Sequence, residues 1–415
     1  MRSLVSNSNR LFKNILSLTI VQFSNYIAPL LVLPYLTRIL SVENFGIVVI
    51  SFSICSIAMI ITDFGFGLSG TYWISKNRND KKNVASYIGA IYLIKLMLNA
   101  VIVFSLLLYI FIWQENFLNE PLLVIGILLT IIFQSYQPMW FFQGIERMKN
   151  VTICMVASKL IYLISVLVFV KGKSDSDIVL LCLALSSLVS AVLGIIRIYK
   201  ENYKLAWPHI SLIKEVIQAS FNFFISRASV GIYTSASTFI VGSFSGLGQA
   251  ALYSSAEKLY QAGLSISSPI SQAIFPYLAR SRNIGELFKI LLVIFPLLVV
   301  TVFICLFYTE NIIIIFYGDL YKDAAPVLRV FLITSLFSFI SINMGYPAFS
   351  IYDRLDLVNL SVYIAAVLHI LGLVILYCGN NITAINVSLC VCIIEFVVLI
   401  IRVSMFISLR KRSGN

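Results

Sequence analysis

Apolar runs long enough to cross a lipid bilayer recur along the whole of this 415-residue chain. A spanning helix needs about 20 predominantly apolar residues, because the hydrocarbon core is about 30 Å thick and a helix rises about 1.5 Å per residue. Such runs fall near residues 12–38, 45–72, 85–113, 120–143, 150–171, 177–199, 215–242, 249–278, 286–309, 325–350, 356–378 and 382–408. They predict an all-α integral membrane protein of about twelve transmembrane helices. The longest polar connection, near 200–214, is too short for a separate domain. Charged residues make up 12% of the chain, half the share of about 25% usual in soluble domains. That scarcity extends over the whole length, so one anchor on a soluble domain is excluded. The opening "MRSLVSNSNRLFKN" is polar and basic, but the apolar run behind it continues past Leu33 with no small-residue cleavage site. It reads as a first spanning helix, not a signal peptide.

Lysine and arginine placement sets the orientation. With the N-terminus inside, twenty basic residues fall in inner segments, among them Arg2, Lys76, Lys82, Arg147, Lys200, Arg282, Arg354 and Lys411. Outer segments hold four: Arg38, Lys171, Lys173 and Lys322. Both termini are therefore expected in the cytoplasm. The formal charge of +12 follows from basic inner loops and calls for no nucleic acid. Two short joins, "RILSVENFGIVVISFSI" and "GSFSGLGQAALYSSAEK", lie about half a chain apart and share a small polar run before an apolar restart. Two parallel six-helix halves, 1–205 and 206–415, would place a substrate site between them near the midplane. A chance likeness of two short turns is the alternative.

The seven cysteines stand in apolar runs without a CxxC pair, and His209 and His369 have no acidic cluster at ligand spacing. They predict packing, with no metal and no cofactor. Six basic residues are harder to place. Arg329 and Arg402 lie near helix ends and are expected to snorkel to the interface. Lys95 and Lys159 sit roughly 14–16 Å from the inner face, Arg227 roughly 18 Å from it, and Lys258 roughly 14 Å from the outer one. The core's half-thickness is about 15 Å, so all four fall near the midplane, each at a cost of about 2.5–3.5 kcal/mol. The acids at hand are Glu257 and Glu395, with Asp63 nearer the inner side. Ion pairs between helices would satisfy some of these charges; a water-filled cationic cavity would satisfy the rest.

Polar stripes favour the cavity. Ser254, Lys258, Gln261, Ser265, Ser268 and Gln272 follow steps of three and four, as do Ser220, Arg227, Gly231, Thr234 and Thr238. Gln22, Asn25 and Pro29 share a face, and Tyr92 and Asn99 flank Lys95. A positive cavity suits phosphate or pyrophosphate. No P-loop, ATP-binding domain or Ser/His/Asp set accompanies it.

The segments "LPYLTRILSVENFGIV", "PMWFFQGIERMKN", "ALYSSAEKLYQA", "AIFPYLAR" and "LYKDAAPVLRVF" resemble Wzx-type O-antigen flippases. These form part of the polysaccharide-transporter branch of the multidrug/oligosaccharidyl-lipid/polysaccharide exporter superfamily. "FQGIER" and "YSSAEKL" are the most specific parts. The resemblance implies two six-helix lobes around a central cavity in the bacterial inner membrane. It also implies alternating-access transfer of undecaprenyl-pyrophosphate-linked repeat units to the outer leaflet. Partners would be that lipid-linked oligosaccharide, membrane lipid, and the O-antigen polymerase and chain-length regulator. On depth and stripe, Lys95, Lys159, Arg227 and Lys258 are the candidate anion contacts. Asn25, Gln261 and Gln272 are the candidate sugar contacts, and Asp63, Glu257 and Glu395 are coupling or ion-pair candidates. A drug or cation exporter of the same superfamily would want an acidic pocket. A membrane-embedded polysaccharide polymerase or ligase would want a sizeable outer loop.

Overall fold

The structure, a computed structural model, describes residues 31–113 and 120–412. Side chains at 113, 230, 232–235, 266–270, 272–277, 279–281 and 412 are not described. Asn25, most of the first expected span and the side chain of Gln272 thus lie outside the described residues. Every regular element among the described residues is helical, and nine helical stretches there are long and apolar enough to cross a membrane. Exposed apolar side chains fit that reading: Phe104 and Phe111 on one helix are 70% and 73% exposed, and Leu292 and Val293 on another are 73% and 75% exposed. Surfaces of that kind require lipid around them.

The chain divides into two compact units between Ala228 and Ser229. The first holds α1 (31–39), α2 (Val42–Asp63), α3 (Phe66–Asn77), α4 (Lys81–Trp113), α5 (Pro121–Ser135), α6 (Met139–Gly144), α7 (Met148–Phe169) and α8 (Ser176–Lys200). It also holds the first part of α9 (Ile210–Ser245). The second holds the rest of α9, then α10 (Leu247–Ser281), α11 (Ile284–Phe307), the short α12 (Thr309–Tyr317) and a 3-10 turn (Asp319–Ala324). It ends with α13 (Ala325–Asn343), α14 (Tyr346–Ser350), α15 (Leu355–Cys378) and α16 (Ala384–Arg412). The segment "LYKDAAP" is thus folded into a turn and a helix start.

Three expected spans are broken. The run 45–72 stops at Phe64 and Gly65, both with positive φ (44° and 79°). Gly65 is required there: a Cβ would stand 2.7 Å from the Phe224 backbone nitrogen and 2.8 Å from the Ser220 carbonyl of α9. The Phe64 ring stacks on Phe224 at 4.8 Å, and Ser69 and Ser220 share a hydrogen bond of 2.8 Å. The break is therefore a seat for α9. Asp63 accepts the Gly67 N–H at 3.2 Å and so caps the restart of the helix as α3.

The runs 120–143 and 325–350 also break, without a positive φ at the break itself. Pro138, which has no N–H to continue α5, precedes α6; Gly345 precedes α14. Each short helix ends in an acid in the left-handed region followed by arginine. Glu146 has φ 57° and Asp353 has φ 55°. The Arg147 N–H donates to the Phe142 carbonyl at 2.8 Å, and the Arg354 N–H to the Phe349 carbonyl at 3.2 Å. Glu146 pairs with Arg78, after α3, at 2.9 Å; Asp353 pairs with Arg282, after α10, at 2.5 Å. The "FQGIER" motif is one copy of this elbow and "SIYDR" is the other.

Candidate functional site

Tyr253, Glu257, Tyr260, Gln261 and Leu264 recur at helical spacing on α10, giving one face wide enough to wall a cavity. That face, with parts of α13, α15 and α16, encloses about 390 Å³ within the second unit. Most of the lining is apolar (Phe331, Ile342, Val362, Val391, Val398), and the polar groups are few and placed. The Tyr260 hydroxyl shares a 2.8 Å hydrogen bond with Ser338, and its ring stacks on Phe331 at 5.0 Å. Glu257 is buried and accepts from the Thr238 hydroxyl of α9 at 3.0 Å. Glu395, on α16, is buried and makes no hydrogen bond or ion pair with a described residue.

Arg402 corrects the snorkelling expectation. Its guanidinium turns inward, donating from Nε to Ser361 at 2.9 Å and from Nη1 to the Ser341 carbonyl and hydroxyl at 2.8 and 3.0 Å. It lies seven residues after Glu395, two turns along the same face, and both line the cavity. Helical spacing alone could have linked them; helix-end position pointed the other way. Buried together, two carboxylates and a guanidinium satisfied by neutral donors and acceptors can hold a proton or a small cation at Glu395, where no described partner is closed.

Adjacent Glu257 and Lys258 diverge, as a 100° step per residue requires. The Lys258 ammonium donates to Gln261 Oε1 at 3.2 Å, while Glu257 goes to α9. Ser254, first of the expected stripe, is buried. Gln261 is common to that stripe and to the cavity wall, which otherwise uses the neighbouring face.

In the first unit Lys95 is 2% exposed. Its ammonium donates to the Ser135 carbonyl at 2.5 Å, at the end of α5, and stands 5.9 Å above the Phe66 ring. Asn99, one turn on, donates to the Ser135 hydroxyl at 2.8 Å. Lys95 therefore acts as a helix cap, satisfying a carbonyl at the negative end of the helix. Lys159 on α7 is half-buried and Arg227 on α9 is exposed; neither makes a hydrogen bond or ion pair with a described residue.

The family described as polysaccharide biosynthesis protein matches residues 11–282. A candidate O-antigen transporter of Escherichia coli (strain K12) is 27% identical over 296 residues, 69% of this chain and 70% of that protein. Among solved structures, the lipid II flippase MurJ in an inward closed conformation has a TM-score of 0.69 at 16% identity, over 97% of this chain and 87% of its own. The eukaryotic MATE transporter AtDTX14 has a TM-score of 0.62 at 15% identity, over 97% and 96%. At such identity these two likenesses show the fold alone, and that fold is shared by a lipid II flippase and a MATE transporter. The fold and the family together make this a multi-pass membrane protein of a transporter architecture.

Proposed function

The chain belongs to the polysaccharide biosynthesis protein family, and we propose on that premise that it is a flippase, not an enzyme. Its cargo is the undecaprenyl-pyrophosphate-linked O-antigen repeat unit, moved from the cytoplasmic to the periplasmic leaflet of the bacterial inner membrane by alternating access. The observation that carries this reading is that Lys159, Arg227 and Lys258, cations within apolar helices, make no ion pair among the described residues, in a chain whose relative is named for O-antigen transport. Unpaired cations at mid-depth are costly in lipid and suited to pyrophosphate oxygens. Asn25, Gln261 and Gln272 supply sugar contacts, and Lys95 supports the site by capping α5.

The proposal keeps about twelve helices, cytoplasmic termini and two lobes, 1–205 and 206–415. A continuous helix is a stiff element, so the lobe boundary belongs in the non-helical stretch before α9 and not inside it. The carboxylates Glu257 and Glu395 are the coupling candidates, and Asp63 is structural. The pathway's polymerase and chain-length regulator are the expected protein partners. One observation favours a second reading, export of a cationic drug: the two buried carboxylates of the second unit. Arg402 in the same cavity weakens it, because a fixed cation competes for those acids.

The test is translocation of labelled lipid-linked oligosaccharide in vesicles. Wild type should carry it, and Lys258→Ala and Arg227→Ala should each lose most of the rate. Undiminished transport in both variants would remove the cation site; failure of wild type would remove the function.

A further inference from the structure

The segment joining α8 to α9, "ENYKLAWPH" (201–209), is neither helical nor loose. Asn202 ends α8 in the left-handed region with φ 62°. The Tyr203 hydroxyl donates to the Arg78 carbonyl at 2.9 Å, its ring meets Phe141 edge-on at 5.1 Å, and Lys81 donates to the Glu201 carbonyl at 3.4 Å. The strap then crosses α4 at Gly89, where a Cβ would lie 2.0 Å from the Ala206 carbonyl oxygen. Only glycine lets the two backbones pass so closely. Pro208 is buried beside the crossing.

Against this fixed backbone, Trp207 is 86% exposed and Ile210 is 74% exposed, with Leu205 exposed beside them. A rigid strap that turns its largest apolar side chain outward needs a covering phase. The level of the crossing says which. Helix α4 has 33 residues, so it is about 50 Å long against a hydrocarbon core of about 30 Å. Shared equally, the surplus leaves roughly 10 Å at each end, which sets the core boundary roughly six or seven residues into the helix, just before Gly89. Trp207 therefore stands at the glycerol and headgroup layer. Tryptophan partitions there because its body is apolar and its indole N–H wants an acceptor. Exposed Lys204 and Lys214, with Lys200 at the end of α8, place ammonium groups on the same strap and its flanks.

We propose that residues 204–210 form a phospholipid-binding strap: Trp207 and Ile210 insert at the glycerol level, and the flanking lysines meet lipid phosphates. The argument needs only that the chain spans a bilayer, and holds whatever the cargo. The occupant is phospholipid because the apolar and cationic groups alternate at the depth where acyl chain gives way to phosphate.

The test uses the full chain in phosphatidylethanolamine–phosphatidylglycerol vesicles and takes the tryptophan emission of wild type minus that of Trp207→Phe. Lipids brominated high on the acyl chain should quench this component roughly twofold more than lipids brominated near the chain end, and aqueous iodide should quench it weakly. Free quenching by iodide with none by either bromolipid would place the strap in water and overturn the proposal. Resistance to all three quenchers would mean that protein covers Trp207, and would overturn it equally. Gly89→Ala, which must displace the Ala206 carbonyl, should shift the depth read for Trp207; an unchanged profile would break the link between the crossing and the anchor.

Discussion

The two units share a frame and differ in what fills it. Each has the same elbow: a short helix, an acid in the left-handed region, an arginine whose N–H closes the turn, and an ion pair back to an earlier helix end. Gly194 and Arg402 stand equally far into α8 and α16, the helices that follow the elbow region in each unit. In the first unit Gly194 leaves room for the Pro138 ring, with no space for even a Cβ (2.4 Å to Cδ). In the second, the proline's place is taken by Gly345, and the Arg402 guanidinium lies over it. Near this position the first unit packs the Pro138 ring against Gly194, with Lys95 capping the helix before it. In the second unit Arg402 reaches a cavity of about 390 Å³ whose mostly apolar lining also holds Glu257 and Glu395.

The strongest way to break this contrast is at Gly194. Gly194→Ala forces a carbon into the rigid proline ring and should destabilise the first unit by about 1–3 kcal/mol. Arg402→Ala should cost less, about 1 kcal/mol, because losing its hydrogen bonds is partly offset by removing a buried charge. Thermal unfolding in detergent compares the two; a larger loss for Arg402→Ala would mean that the second unit, not the first, depends on this position for packing.

Next comes the contrast between cations. Lys95→Met leaves the Ser135 carbonyl without its charged donor and should lower stability by about 1–3 kcal/mol. Transport per folded molecule should change less than in Lys258→Ala, which should leave stability nearly unchanged. The reverse pattern would exchange their roles. Within the cavity, Glu395→Gln removes a buried carboxylate with no closed described partner. Stability should hold or rise slightly, while any response of transport to an imposed pH gradient should disappear. A retained response would move the coupling site away from Glu395.

The smallest effect tests the shared frame. Glu146→Gln and Asp353→Asn break ion pairs whose side chains are 43–46% and 64–73% exposed. Each should cost under about 1 kcal/mol, and the two losses should be alike. A large effect at one elbow alone would show that the likeness is only of backbone.

Much of the frame was legible because lipid simplifies the code. Apolar runs mark helices wherever water is excluded, and the "FQGIER" and "YSSAEKL" segments carried the family. The elbows were not legible as breaks: Pro138 sits in an apolar run, and "SIYDR" shares little with "FQGIER" beyond an acid before an arginine. Lys95 and Lys258 look alike in sequence, each a lone cation in an apolar helix. What separates them is the carbonyl at the end of α5, forty residues away, which reaches Lys95 only once α4 and α5 pack. Arg402 was misplaced for a related reason, since helix-end position says how far a side chain lies from water but not which way it points.

The sequence by itself determined that the chain is a helical membrane protein with cations inside its apolar runs, because hydropathy and length act locally, one run at a time. Only the tertiary structure decided which charges are capped, which line a cavity and which stand free. Those outcomes depend on contacts between helices far apart in the sequence, such as the Ser135 carbonyl that reaches Lys95.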